Sequence, residues 1–302
     1  MLETIQAYLN DNWVLAISTP IYIILVTLEV VLSNYQKRNF YSVKETLINI
    51  WLNIVNASLG LLVKGTVLVF MMWIGQFHIL QIANPYLYWF LLFFLVDFSF
   101  YFEHRCEHFS RVLWAVHVTH HSSKEYNLTT GFRSSVFRPF VNFWFFIPWV
   151  ILGFNPLDIL LMDAICQIYG ILLHTQYVRK MPRWFETFFV SPAHHRVHHA
   201  SNIVYLDKNM GMVLIIWDRI FGTYQDELET EKVVFGLTKK LDHPFHPIEI
   251  ITHEWKALWK DVTRSNITFY ERVKYIINPP GWSHDQSSKT AKELRNEIIA
   301  NK

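Results

Sequence analysis

Residues 100–121 read FYFEHRCEHFSRVLWAVHVTHH, and residues 191–199 read SPAHHRVHH. Nine of the chain's 15 histidines fall in these two stretches. On a helix, residues four apart share a face and those three apart flank it. His104 and His108 therefore make a two-imidazole face. His117, His120 and His121 make a three-imidazole face, and so do His195, His198 and His199. Large apolar residues separate the histidines, whereas metal-buffering loops are repetitive and Gly-rich. The pattern describes a built site. Eight convergent imidazoles are too many for one ion and suit two. Imidazole accepts Zn, Cu, Fe or Ni, so ligand type alone does not name the metal.

The chain around these stretches is apolar. Hydrophobic residues make up 52% of the 302 and charged residues only 17%, against about 25% charged in soluble domains. This excludes a disordered or fibrous chain and argues against an ordinary soluble enzyme. A net charge of +2 gives no case for nucleic acid. Two cysteines, Cys106 and Cys166, exclude a disulfide scaffold.

Five apolar runs read as membrane segments. Residues 1–12 lack the basic start of a signal peptide. Trp13–Ser33 is long enough to span. Thr46–Ala83 is too long for one span. Its first half carries Asn49, Asn53, Asn56 and Gly60 as a polar stripe, read as a partly interfacial lead-in to a span near Ser58–Gln76. Pro85–Phe102 is the third span. Val136–Phe154 and Leu157–Leu173, joined at Asn155-Pro156, are short and either span marginally or dip in from one side. Lys37, Arg38 and Lys44 in one loop, and Arg105, Arg111, Lys124, Arg133 and Arg138 in another, place segments 34–45, 103–135 and 174–302 in the cytosol. The run MGMVLIIWDRIF (210–221) suits the membrane interface, with Asp218 and Arg219 as an ion pair.

The expected architecture is all-α. It is an integral membrane bundle of about four or five membrane helices, with a cytosolic helical cap carrying a His-rich dinuclear metal site. Three regions follow: N-terminal membrane helices (1–84), a catalytic domain (85–240) and a cytosolic tail (241–302). The membrane is a bacterial inner membrane or the endoplasmic reticulum, with the histidine site facing the cytosol.

Several chemistries are absent. There is no HExxH of a zinc peptidase, no GxSxG elbow, no GxGxxG and no P-loop. A histidine-rich dinuclear site at the membrane face suits iron that activates O2 on a lipid substrate. Electrons must then come from outside. A divalent-metal transporter is the alternative from another class, but it calls for ligands at mid-bilayer. A haem protein needs two axial histidines, not eight.

HRxxH, HxxHH and HRVHH in this order, after aromatic spans, resemble the fatty acid hydroxylase/sterol desaturase superfamily of membrane di-iron oxygenases. WAVHVTHHSSKEYNLTTGFRSSV, SPAHHRVHHASNIVYLDKNMGMVLIIWDRIFGTY and EKVVFGLTKKL resemble its alkylglycerol monooxygenase-like branch. The resemblance implies O2-dependent hydroxylation or desaturation of a lipid alkyl chain. It implies two irons (Fe2+/Fe3+) held by His104, His108, His117, His120, His121, His195, His198 and His199, with His174 as a further ligand. No catalytic residue beyond these ligands is implied. The donor is an external reductase or reduced pterin, tetrahydrobiopterin. Animal members carry a Glu directly after the first box. Here that position is Phe109, and Glu107 precedes the last ligand.

Position suggests two supporting carboxylates. Asp97 lies two helical turns before His104, where it could accept the outer N–H of a ligand imidazole or bond another helix. Glu107, like Glu125, either supports a ligand or is solvated. His78, His243, His246, His253 and His284 stand outside the spacing. So does His194, one residue before the face that completes HxxHH.

Overall fold

The computed structural model describes residues 13–300. The reading of residues 1–12 lies outside the described residues. Among those described, the chain is helical, and its β structure is limited to two isolated bridges, Phe189 with Leu214 and Ala200 with Phe235.

Three helices are long and apolar enough to cross a membrane: α1 (Trp13–Tyr35), α2 (Val43–Gly75) and α3 (Pro85–Phe109). Local signals set their starts. Ser42 caps α2 by accepting the Glu45 N–H. Asn84 caps α3 by accepting the Tyr86 and Leu87 N–H groups ahead of Pro85. The helix α3 continues past Phe102 and carries His104 and His108 on the same rod as the apolar span. Ser110 then breaks the helix with extended φ and ψ of −134° and 123°, and α4 (Arg111–His121) begins at once.

The helix α2 is a single rod of 33 residues, about 50 Å at 1.5 Å per residue. The sequence suggested a lead-in and a separate span. The polar stripe explains the difference, because it faces protein and not the interface. Asn49 donates to Thr129 Oγ1, and Asn56 donates to the Ser135 carbonyl. Ile48 and Leu52 pack on Ile250 and Ile251. The first half of the rod is thus roofed by the cap, and the remainder approximates the ~30 Å of a hydrocarbon core.

The 136–173 hairpin is shorter than two spans. Its first arm is two 3-10 turns, Arg138–Phe140 and Asn142–Phe146, followed by α5 (Ile147–Leu152). Its second arm is α6 (Pro156–Leu172), capped by Asn155. Gly153 takes φ +116° between them, and a Cβ there would fall 2.1 Å from the Leu80 carbonyl oxygen. Phe146, Val150, Phe154, Ile159 and Cys166 close the core against Met71 and the α3 residues Leu92, Val96 and Phe100.

The cap holds α7 (Arg183–Phe188), α8 (Pro192–His198), α9 (Ile216–Phe221), α10 (Pro247–Val262), α11 (Phe269–Ile277) and α12 (Ala291–Ala300). Arg111 at the start of α4 bonds Glu254 at 2.7 Å and Asp261 at 2.8 Å on α10. The 210–221 run is not a surface amphipath: residues 210–215 are buried, and only the end of α9 is exposed.

One buried cation ties α2 to α4. Arg133 is wholly buried and donates to Glu45, Asn49, the Thr119 carbonyl and Ser122. Arg133→Met leaves Glu45 unpaired and should cost about 3–5 kcal/mol. Thermal unfolding in detergent should show a large drop for Arg133→Met and substantial recovery for Arg133→Met/Glu45→Met.

Candidate metal centre

Three sequence elements and one helix end bring nine imidazoles together. His104, His108, His117, His121 and His198 form one group, and His120, His174, His195 and His199 form a second. Within each group the facing nitrogens lie within 4.8 Å of one another. All nine rings are buried except His120, which is half-buried. His174 follows α6 directly, and Gly131 admits it: a Cβ there would lie 3.0 Å from His174 Nδ1.

The two triplets do not act as single faces. Each divides between the groups. The i, i+4 pairs stay together (His104/His108, His117/His121 and His195/His199), while His120 and His198 cross to the other group. Helix geometry gives the reason. Residues four apart are about 40° apart around the axis, whereas the third and fourth positions diverge by about 100°.

The outer nitrogens fix the tautomers. Nδ1 of His104 donates to the Met210 carbonyl at 2.8 Å, and Nδ1 of His120 to the Arg133 carbonyl at 2.9 Å. Nδ1 of His174 donates to the Gly170 carbonyl at 3.0 Å, and Nδ1 of His198 to the Lys208 carbonyl at 2.9 Å. His108 Nδ1 donates to Asp207 at 3.2 Å. His117 Nδ1 lies 2.8 Å from Glu107 Oε2. With Nδ1 protonated, His104, His108, His120, His174 and His198 each turn an Nε2 lone pair inward.

Those lone pairs crowd one another. His174 Nε2 lies 3.0 Å from His195 Nε2, 3.2 Å from His199 Nε2 and 3.3 Å from His120 Nε2. His117 Nε2 lies 3.0 Å from the Nε2 atoms of both His104 and His121. One nitrogen offers one proton or one lone pair, so no set of tautomers satisfies three such neighbours. Nε2 of His108 and of His198 is buried with no hydrogen-bond partner. Nitrogens bound at about 2.1 Å to one ion, at right-angled to tetrahedral spacing, lie about 3.0–3.4 Å apart. The residues present fit a cation in each group.

Electrostatics agree. Burial, with neighbouring imidazoles adding to it, holds His117, His121, His195 and His199 well below the ordinary imidazole range. Burial does the same for His120 and His198, and brings His174 to about 4. These rings are neutral at physiological pH, as ligation requires.

His194 faces elsewhere. Its Nδ1 accepts the Ser191 N–H, closing the N-terminal cap of α8, and its ring lies against Tyr224. His246 caps α10, and His284 meets Tyr275. His78, His243 and His253 also lie outside both groups.

Asp97 touches no histidine. Its oxygens accept from the Val213 N–H at 3.0 Å, the Leu214 N–H at 3.2 Å and Trp217 Nε1 at 2.9 Å. It fastens the 210–217 segment whose Met210 carbonyl takes His104. Asp218 does not pair with Arg219. It accepts from the Met210 and Gly211 N–H groups and from Thr223, while Arg219 donates to the Glu186 carbonyl and stacks on Tyr224. Glu125 accepts the Ser42 N–H, away from the centre.

Sequence reasoning missed Asp207 and the carbonyls of Lys208 and Met210. The available signal was YLDKN, since Asp207 and Asn209 sit at φ 54° and 55°, a conformation Asp and Asn tolerate best among residues with a Cβ.

Comparison with known proteins agrees with this geometry. Residues 89–223 match the family described as Fatty acid hydroxylase. This matched segment holds all nine imidazoles. The chain is similar to human (Homo sapiens) alkylglycerol monooxygenase, with 37% identity over 195 residues, 64% of this chain and 42% of the relative. It is similar to the alkylglycerol monooxygenase of Danio rerio, with 32% identity over 303 residues, 93% of this chain and 61% of the relative. It is also similar to ornithine lipid hydroxylase OlsE of Rhizobium tropici, with 29% identity over 157 residues, 50% of this chain and 46% of the relative. The chain thus spans less than two thirds of each of these relatives. No solved structure matches it significantly.

Asp97→Asn replaces an acceptor of three N–H groups by an amide that cannot accept them all. It should keep the fold yet weaken metal retention about 10- to 100-fold, through Met210 and His104. Equilibrium dialysis against a chelator reads this; Glu125→Gln should retain metal as the wild type does.

Proposed function

We propose that the chain is a membrane-bound di-iron oxygenase that hydroxylates a lipid alkyl chain. One observation carries this: imidazoles of both groups line a cavity of about 850 Å³ that is also walled by α1, α2 and α6. His104 and His117 from the first group reach it, and His120, His174 and His195 from the second. Leu61, Val67, Leu157, Leu160, Leu161 and Ile168 give it an apolar wall, and its size is that of a small-molecule site.

Bound iron would supply the redox chemistry that activates O2 and breaks an alkyl C–H bond. The chain's own residues do the rest. His104, His108, His117, His121 and His198 would hold one ion, and His120, His174, His195 and His199 the other. The carbonyls of Met210, Arg133, Gly170 and Lys208, with Asp207, orient five of the rings and fix their tautomers, and Glu107 lies beside His117. Phe100, Phe143, Phe146 and Met212 line the approach and exclude water. The electron donor in this reading is external, a redox protein or tetrahydrobiopterin. Relatives called monooxygenases align at 32–37% identity, whereas the yeast Delta(7)-sterol 5(6)-desaturase ERG3 aligns at 29%, which favours hydroxylation over desaturation. A transporter reading gains nothing from the relatives, which are named as monooxygenases, a hydroxylase and a desaturase.

The basic loops favour a cytosolic site. Helices α1 and α2 of the N-terminal region would wall the lipid cavity, the region 85–240 would hold the irons, and α10 of the C-terminal region would brace α4.

After anaerobic iron loading the protein should bind about two irons per chain. His195→Ala should lose about half of this, whereas His194→Ala should keep it. One ion or fewer in the wild type would count against the proposal. His120→Ala should insert in the membrane and lack turnover. Comparing lipids of a deletion strain with its complemented parent identifies the substrate.

A further inference from the structure

The cavity is not uniformly apolar. Lys64 of α2, Arg138 and Asn142 of the hairpin, and Asp163 and Gln167 of α6 also line it. Among the described residues neither Lys64 nor Arg138 has a carboxylate within ion-pair distance. Arg138 lies 5.6 Å over the Phe100 ring. Asp163 has one hydrogen bond, a long one of 3.5 Å from Gln167, and the charges of Arg138 and Lys64 both act on it. Charged groups facing hydrocarbon in a membrane protein are costly and mark sites of function. A wholly alkyl ligand would leave them facing it.

Their position is informative. On α6, Gln167 and Asp163 precede His174 by 7 and 11 residues, roughly 10 and 16 Å along the axis. Resting on the oxygenase reading, we propose that Lys64, Asp163, Gln167 and Arg138 hold the polar group of the lipid inside the protein. This group is uncharged and both donates and accepts hydrogen bonds, as a hydroxyl or amide does. Two cations and one carboxylate, flanked by two amides, supply both kinds of partner. Asp163, together with the buried acidic side chains of Glu103 and Glu107 that act on Arg138, disfavours a bare anion. Anchoring the head at this level sets which carbon reaches the imidazoles, so the position of attack is counted from the head.

The test reads binding, without donor or turnover, so it stands or falls apart from the oxygenase reading. Iron-loaded protein in nanodiscs is offered tritiated 1-hexadecanol, hexadecane or hexadecyl phosphate, and retention is measured. Wild type should hold 1-hexadecanol at least about tenfold more tightly than hexadecane, and more tightly than hexadecyl phosphate. Lys64→Met and Asp163→Asn should each remove most of that preference while leaving hexadecane retention and iron content as they were. Gln167→Leu, a milder change, should reduce it. Equal retention of 1-hexadecanol and hexadecane overturns the proposal. So does tighter retention of hexadecyl phosphate, and so does an undiminished preference in Lys64→Met and Asp163→Asn.

Discussion

Nitrogen lone pairs from neighbouring imidazoles stand about 3 Å apart at the heart of this protein, at His117 and again at His174. Neutral lone pairs at that separation repel, and the low dielectric of a buried site strengthens the repulsion. The fold is arranged to hold them there. Every tautomer that can be read is set from outside by a carbonyl or carboxylate. Much of the remaining structure fixes those outer partners. Asp97 and Asp218 pin the 210–218 segment, the left-handed turn at Asp207 presents a carboxylate to His108, and Arg133 ties the segment whose carbonyl meets His120 to α2 and α4. A cation in each group would convert the repulsion into ligation.

The same arrangement explains the join between membrane and cap. The helix α3 carries its apolar run and His104 and His108 on one rod, so the imidazole groups stand at a fixed distance from that run. The helix α2 is long because it serves both layers: its start is roofed by α10, and its end walls the cavity. The hairpin of α5 and α6 fills the core beside α3 and delivers His174 from its far end. The cavity therefore lies between α1, α2 and α6 and reaches imidazoles of both groups.

Much of this was legible in the sequence, for a physical reason. An i, i+4 pair of histidines shares a helix face whatever surrounds it, so His104/His108, His117/His121 and His195/His199 could be read directly. The choice of His195 over His194 followed from the same spacing. Composition and run length revealed the three long helices. What escaped depended on tertiary contacts. The division of each triplet between two groups requires knowing what lies on either side of α4 and α8. The Asn stripe of α2 looked interfacial because its partners, Thr129 and Ser135, are some 80 residues away. Asp97 bonds amides of the 213–217 segment, and backbone carbonyls that orient ligands leave no mark in side-chain patterns.

Anomalous diffraction at the iron edge, from crystals of the iron-loaded protein, tests the central claim directly. Two peaks should appear, one enclosed by His104, His108, His117, His121 and His198, and one by His120, His174, His195 and His199. A single peak, or iron bound outside these two groups, would contradict it.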